Sequence, residues 1–137
     1  MEIRQNMGLI LGISGGLIVF IIALIFIIYN NSDFDQQLIN QVDSGVPADK
    51  LIPQIDQNTE KMRLNAQRRL ESQTAAKNIN KSDSAPFVKS YNDEIRMIAQ
   101  YDDARKKFAN RDINKEQFLS EIQNPKDFLK MYYGNNL

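Results

Sequence analysis

Gly8 to Tyr29 is a stretch of 22 positions without a charged side chain; 17 of them are hydrophobic, and Leu17 to Tyr29 is unbroken hydrophobic sequence. As a helix such a run would measure about 33 Å, enough to cross a hydrocarbon core of about 30 Å. A helix packed on a water-soluble core would show a polar stripe, and this stretch has none. The sequence therefore predicts a transmembrane helix over 8–29. The apolar part of a cleaved secretory signal is only about 7–15 residues long and ends at a small-x-small site. Here the flank is Tyr29-Asn30-Asn31-Ser32-Asp33, so an uncleaved anchor is expected.

The run resembles the opening helix of pilins in its apolar length alone. Met7 stands where those families carry Lys or Arg, and Ile13 where they carry Glu, so pilin-like assembly is the weaker reading. Orientation follows from the charges beside the run: Arg4 and the α-amino group face Glu2 before it, whereas residues 30–49 hold four Asp and no Lys or Arg. The positive-inside rule then places residues 1–7 as a short cytoplasmic tail and residues 30–137 outside the cell membrane.

Gly8, Gly12 and Gly16 recur every four residues and form two overlapping GxxxG spacings. Small residues on one helix face let two backbones approach closely in lipid. These three positions are expected to pack against a partner helix, either a second copy or another subunit's.

The remainder carries 16 basic and 16 acidic residues over 30–137, and the whole chain is neutral, with 17 of each. That balance removes the electrostatic case for nucleic acid. The chain has neither Cys nor His, which excludes disulfides, thiolate chemistry, Ser-His-Asp triads and His- or Cys-ligated metals. No Gly-rich phosphate loop lies outside the apolar run. No catalytic residue, cofactor, metal or small-molecule substrate is expected.

The residue pattern predicts an all-α fold: the transmembrane helix, then a small helical domain made of a long antiparallel hairpin and two short C-terminal helices. Residues 30–52 read as a linker with a short amphipathic helix on Phe34, Leu38, Ile39 and Val42, ended by Ser44-Gly45-Val46-Pro47. The helical domain is expected over 53–133 and a tail over 134–137. A long polar helix is expected from Pro53 to about Ile79, with Pro53 in its first turn. Its Lys61–Arg69 segment reads as a basic binding strip or, more plainly, as a solvated face. The next helix, about 85–109, has Phe87, Tyr91, Ile95, Ile98, Tyr101 and Phe108 on one face. Asp56 to Pro86 holds only three of the Leu, Ile, Val and Phe residues, against 11 over Phe87–Tyr133, so the core is expected mainly from the C-terminal half.

Asn114-Lys115-Glu116-Gln117 fits a capping box, with Ile113 and Phe118 placed as its hydrophobic staple. Asn124-Pro125 reads as the start of a further short helix, with Phe128, Leu129 and Tyr132 on its apolar face and Gly134 closing it. Arg111 to Phe118 resembles the end of an EF-hand loop and is similar to short C-terminal helical-hairpin modules over about 20 residues. In the EF-hand register, Lys106, Phe108, Arg111 and Gln117 would occupy the positions where calcium needs oxygen ligands, Gly and Glu, so no calcium site is expected. Asn30 and Asn80 begin glycosylation-type triplets, which are frequent by chance in an Asn-rich chain. The carboxylate pairs Asp56/Glu60, Asp93/Glu94, Asp102/Asp103 and Glu116/Glu121 are expected on polar faces, unsuited to acid–base work. Phe128, Tyr132 and Tyr133 are candidate partner contacts, with covering the end of the hairpin as their other role. The functional expectation is a non-catalytic, single-pass membrane protein presenting a helical protein-interaction or scaffold module. The alternative is an accessory subunit of a larger membrane complex, held through its glycine-lined helix.

Overall fold

The computed structural model describes residues 33–75, 83–134 and 137. The predicted transmembrane helix with Gly8, Gly12 and Gly16, and the two glycosylation-type triplets, lie outside the described residues. Among the described residues no helix is long and apolar enough to cross a membrane, and all regular structure is helical. Phe34–Leu137 forms one compact unit.

Four helices build it: α1 Phe34–Asp43, α2 Ala48–Ala75, α3 Ala85–Ala109 and α4 Lys115–Tyr133. α3 is the central element and packs against each of the other three. α2 runs antiparallel to it, so that Thr59 meets Asp102 and Arg69 meets Glu94. α4 is also antiparallel to α3, stacking Phe118 on Phe108 at one end and bringing Tyr132 to Ser90 at the other.

The α1 periodicity is realised, with Leu38 and Ile39 buried. Gly45 follows in the left-handed region at φ 81°. Val46 N–H donates to Gln41 O at 3.0 Å and Gly45 N–H to Val42 O at 3.0 Å, the pair of bonds that closes a helix around a left-handed residue.

Two helix boundaries differ from the sequence reading, and both involve proline. α2 begins at Ala48, not at Pro53, which lies inside the helix. Leu51 and Ile55, one turn apart on either side of the exposed Pro53, are both fully buried. Their burial outweighs the roughly 3 kcal/mol that an interior proline costs. Similarly, Asn124 caps no helix: the two expected short helices are one, and Pro125 sits within α4. Phe118, Ile122, Pro125 and Leu129 are all buried, a stripe spaced by four, three and four residues that a break at Pro125 would disrupt. The linker expected over 30–52 contributes Leu38, Ile39 and Leu51 to the core.

The expected weight of the C-terminal half is visible in the core, where α3 and α4 supply Ile98, Tyr101, Phe108, Phe118, Ile122 and Leu129. In α2 the last buried side chain is Ala66, nine residues before the helix ends at Ala75. The capping box forms: Gln117 N–H donates to Asn114 Oδ1 at 2.9 Å, and Asn114 N–H to Gln117 Oε1 at 3.0 Å. Phe118 is buried and Ile113 packs against the core. Gly134, at φ 61°, is the C-cap of α4.

Candidate functional site

Two clusters of polar side chains inside this bundle each hold a buried carboxylate that the sequence reading did not place there. Asp35, 2 % exposed, lies in the first turn of α1, and Arg105, fully buried, lies on α3. Asp35 Oδ1 accepts from Arg105 Nε at 2.8 Å. Its other oxygen accepts from Lys126 Nζ at 2.9 Å and from the Tyr101 hydroxyl. Arg105 Nη1 donates to Asn58 Oδ1 on α2 at 2.7 Å. The guanidinium lies 3.7 Å from the Tyr101 ring centroid and 4.6 Å from that of Phe34, within reach of cation–π attraction. Among the described residues Arg105 Nη2 has no hydrogen-bond partner. One cluster therefore joins all four helices.

Burial pushes the Asp35 carboxyl up, but Arg105, Tyr101 and Lys126 together hold it below the ordinary 3.8. It is an ionised acid fixed by its donors.

The second cluster centres on Glu94 of α3, 3 % exposed. Its Oε1 accepts from Arg69 of α2 and, at 2.7 Å, from the Tyr133 hydroxyl of α4. The same hydroxyl stands 2.8 Å from the Met62 carbonyl. Arg69 lies 5.0 Å from the ring centroids of both Tyr132 and Tyr133. Burial, then the bond to Glu94, push the Tyr133 hydroxyl up to about 12.

Glu94 corrects the expectation that the Asp93/Glu94 pair lies on a polar face. Asp93 does, in exposed pairs with Lys89 and Arg96, whereas Glu94 is four residues before buried Ile98 and faces inward. Asp102 is also drawn in, between Thr59 Oγ1 at 2.7 Å and Lys106 Nζ at 2.9 Å. Of the aromatic candidates, Phe128, Tyr132 and Tyr133 are each half-buried. Both tyrosine hydroxyls bond within the bundle, Tyr132 to Ser90 at 2.9 Å.

General acid–base catalysis needs groups poised near the working pH. Asp35 and Tyr133 are both moved away from neutrality, one downward and the other upward. Among the described residues no group of three or more carboxylates could hold a metal ion.

Two adjoining clefts flank α2. One, of about 620 Å³, lies between Phe34 and the Gln54–Leu64 side of α2; the other, of about 330 Å³, runs from Asn58 and Lys61 to Tyr132 and Tyr133.

The described residues thus build an all-helical bundle whose helices are pinned by ion pairs with buried carboxylates. No protein-family model, curated protein or solved structure matches the chain.

Proposed function

We propose that this chain is a non-catalytic interaction module: a helical domain carried outside the cell membrane by the apolar segment 8–29, which engages a protein partner. The observation that carries the reading is how the buried ionisable groups are used. Asp35, Glu94, Arg69 and Arg105 hold helices to one another, and the two shifted groups among their partners are moved away from the range useful for proton transfer. The interior is spent on rigidity, which leaves the surface for recognition. The uncharged run supports the anchor, and the Lys/Arg-free flank after it supports the outward orientation.

The test exchanges residues 8–29 for an unrelated apolar helix and asks whether partners still co-purify from membranes. Retention identifies the helical domain as the module. Loss, reproduced by Gly12→Ile in the parent chain, would transfer the function to the glycine face and favour the accessory-subunit alternative. Protease added to intact spheroplasts should digest residues 30–137; protection until lysis would reverse the orientation.

A further inference from the structure

The cations of this bundle are divided unequally. On α3, Lys89, Arg96, Arg105, Lys106 and Lys107 each pair with a carboxylate. On α2, Arg69 pairs with Glu94, whereas Lys61 and Arg68 are exposed and have no carboxylate partner among the described residues. Over residues 61–69 of α2 four cations, Lys61, Arg63, Arg68 and Arg69, stand with no acid between them, and among the described residues only Arg69 of the four has a carboxylate partner, which leaves a local positive surplus.

Of Lys61 and Arg68, Lys61 lines the clefts, and Arg68 lies two turns further along α2. Lys61 belongs to both clefts, and they meet at Asn58 and Lys61. Lys61, Leu64, Asn65 and Arg68 follow one another at helical spacing on the same flank of α2, with about 10 Å of helix between the two charges. Leu64 is 43 % exposed. The side-chain amides of Gln57 and Asn65, which line the two clefts, have no hydrogen-bond partner among the described residues. Among the described residues Glu60, next to Lys61 in the chain, is the acid that lines this groove.

We propose that this flank of α2 is a docking groove for an acidic segment of the partner protein, with carboxylates of that segment pairing with Lys61 and Arg68. The inference rests on the interaction-module reading and names the surface and the partner's chemistry. The exposed Leu64 and the free amides favour a polypeptide over a lipid surface. An amide offers both a donor and an acceptor, which matches a partner's main chain, whereas a headgroup surface is met chiefly by clustered cations.

The experiment uses the full chain in phosphatidylcholine nanodiscs and a fluorescein-labelled octaglutamate peptide, read by fluorescence anisotropy, with octaserine as the neutral control. Binding of octaglutamate alone is expected, weakening as salt is raised. The double variant Lys61→Gln/Arg68→Gln should bind at least about fivefold more weakly, the effect of losing two charge-assisted contacts. The charge-matched variant Lys89→Gln/Lys107→Gln, whose cations are already paired, should bind like the parent. All four side chains are outside the core, so both proteins fold. Equal weakening in the two variants, or no binding by the parent, would overturn the groove. So would binding to phosphatidylserine vesicles, lost in the first variant, without peptide binding. Any of these leaves the module reading standing, because that reading is decided separately by the anchor exchange.

Discussion

Asp35 and Arg105 are a charge pair removed from water, and such a pair is costly to break from one side. Asp35→Asn leaves the guanidinium buried with no anion and is expected to cost about 3–5 kcal/mol, measured by urea unfolding of residues 30–137. The double replacement Asp35→Leu/Arg105→Met should recover much of that loss, because apolar side chains of similar bulk need no partner. The same pair sets an acid limit. Since folding lowers the Asp35 pKa below 3.8, its contribution is complete above that value and fades as pH falls through the lower, folded one. The unfolding midpoint of the parent should therefore drop below about pH 4 more steeply than that of the double variant. Tyr133 sets the opposite limit: its pKa rises from 10.0 to about 12, so its contribution is complete below 10 and fades towards 12. Parts of these clusters were legible in the sequence. Asp35 precedes Leu38 by three and Ile39 by four, and Arg105 follows Tyr101 by four, which puts both charges on apolar faces. Their pairing across 70 residues was not legible, because no local pattern says which buried cation meets which acid.

Among the elements, α3 and the start of α4 followed their local signals: α3 buries Ile98, Tyr101 and Phe108 of its apolar face, and the Asn114–Gln117 box closes on itself. Asn114→Ala should cost about 1 kcal/mol in the same unfolding experiment; a loss near zero would show that the box contributes nothing. Pro53 and Pro125 read as helix starts because their cost is local, while the burial that outweighs it comes from neighbours distant in sequence. The end of α3 shows a related trade. Arg111 is in the left-handed region at φ 64°, where a side chain costs about 1–2 kcal/mol relative to glycine. Asp112 N–H donates to Lys107 O at 2.9 Å and Arg111 N–H to Phe108 O at 3.0 Å, so this helix ends as α1 does at Gly45. The Arg111 guanidinium then reaches back to the Val42 and Val46 carbonyls, at 3.4 and 3.0 Å, tying one helix end to the other. Arg111→Gly should be close to neutral in stability, since strain relief offsets the lost bonds, whereas Arg111→Ala, which keeps the strain, should destabilise by about 1–2 kcal/mol.

For the whole molecule, burial is graded along α2. Beyond Ala66 the helix has no buried side chain, although Arg69 still reaches Glu94. Amide hydrogen exchange should be fast over residues 70–75 and slow over Leu51–Met62 and Ile98–Phe108; uniform protection would show that a partner covers the end of α2. The poverty of large apolar residues in that stretch was readable in advance, whereas the sharing of core duty among four helices was not, since it depends on α1 and α4 docking on the same helix. The position of Asp35 has a mechanical side as well. A pull arriving through the chain ahead of Asp33 enters the bundle at the first turn of α1, where the next residue is bonded to Tyr101, Arg105 and Lys126 together. Peeling α1 away would have to part a dehydrated ion pair within its first few ångströms of travel, together with the contact of Phe34 on Arg105. Tension applied there is therefore handed directly to α3 and α4, and the bundle should yield as one body rather than unwind from its leading end.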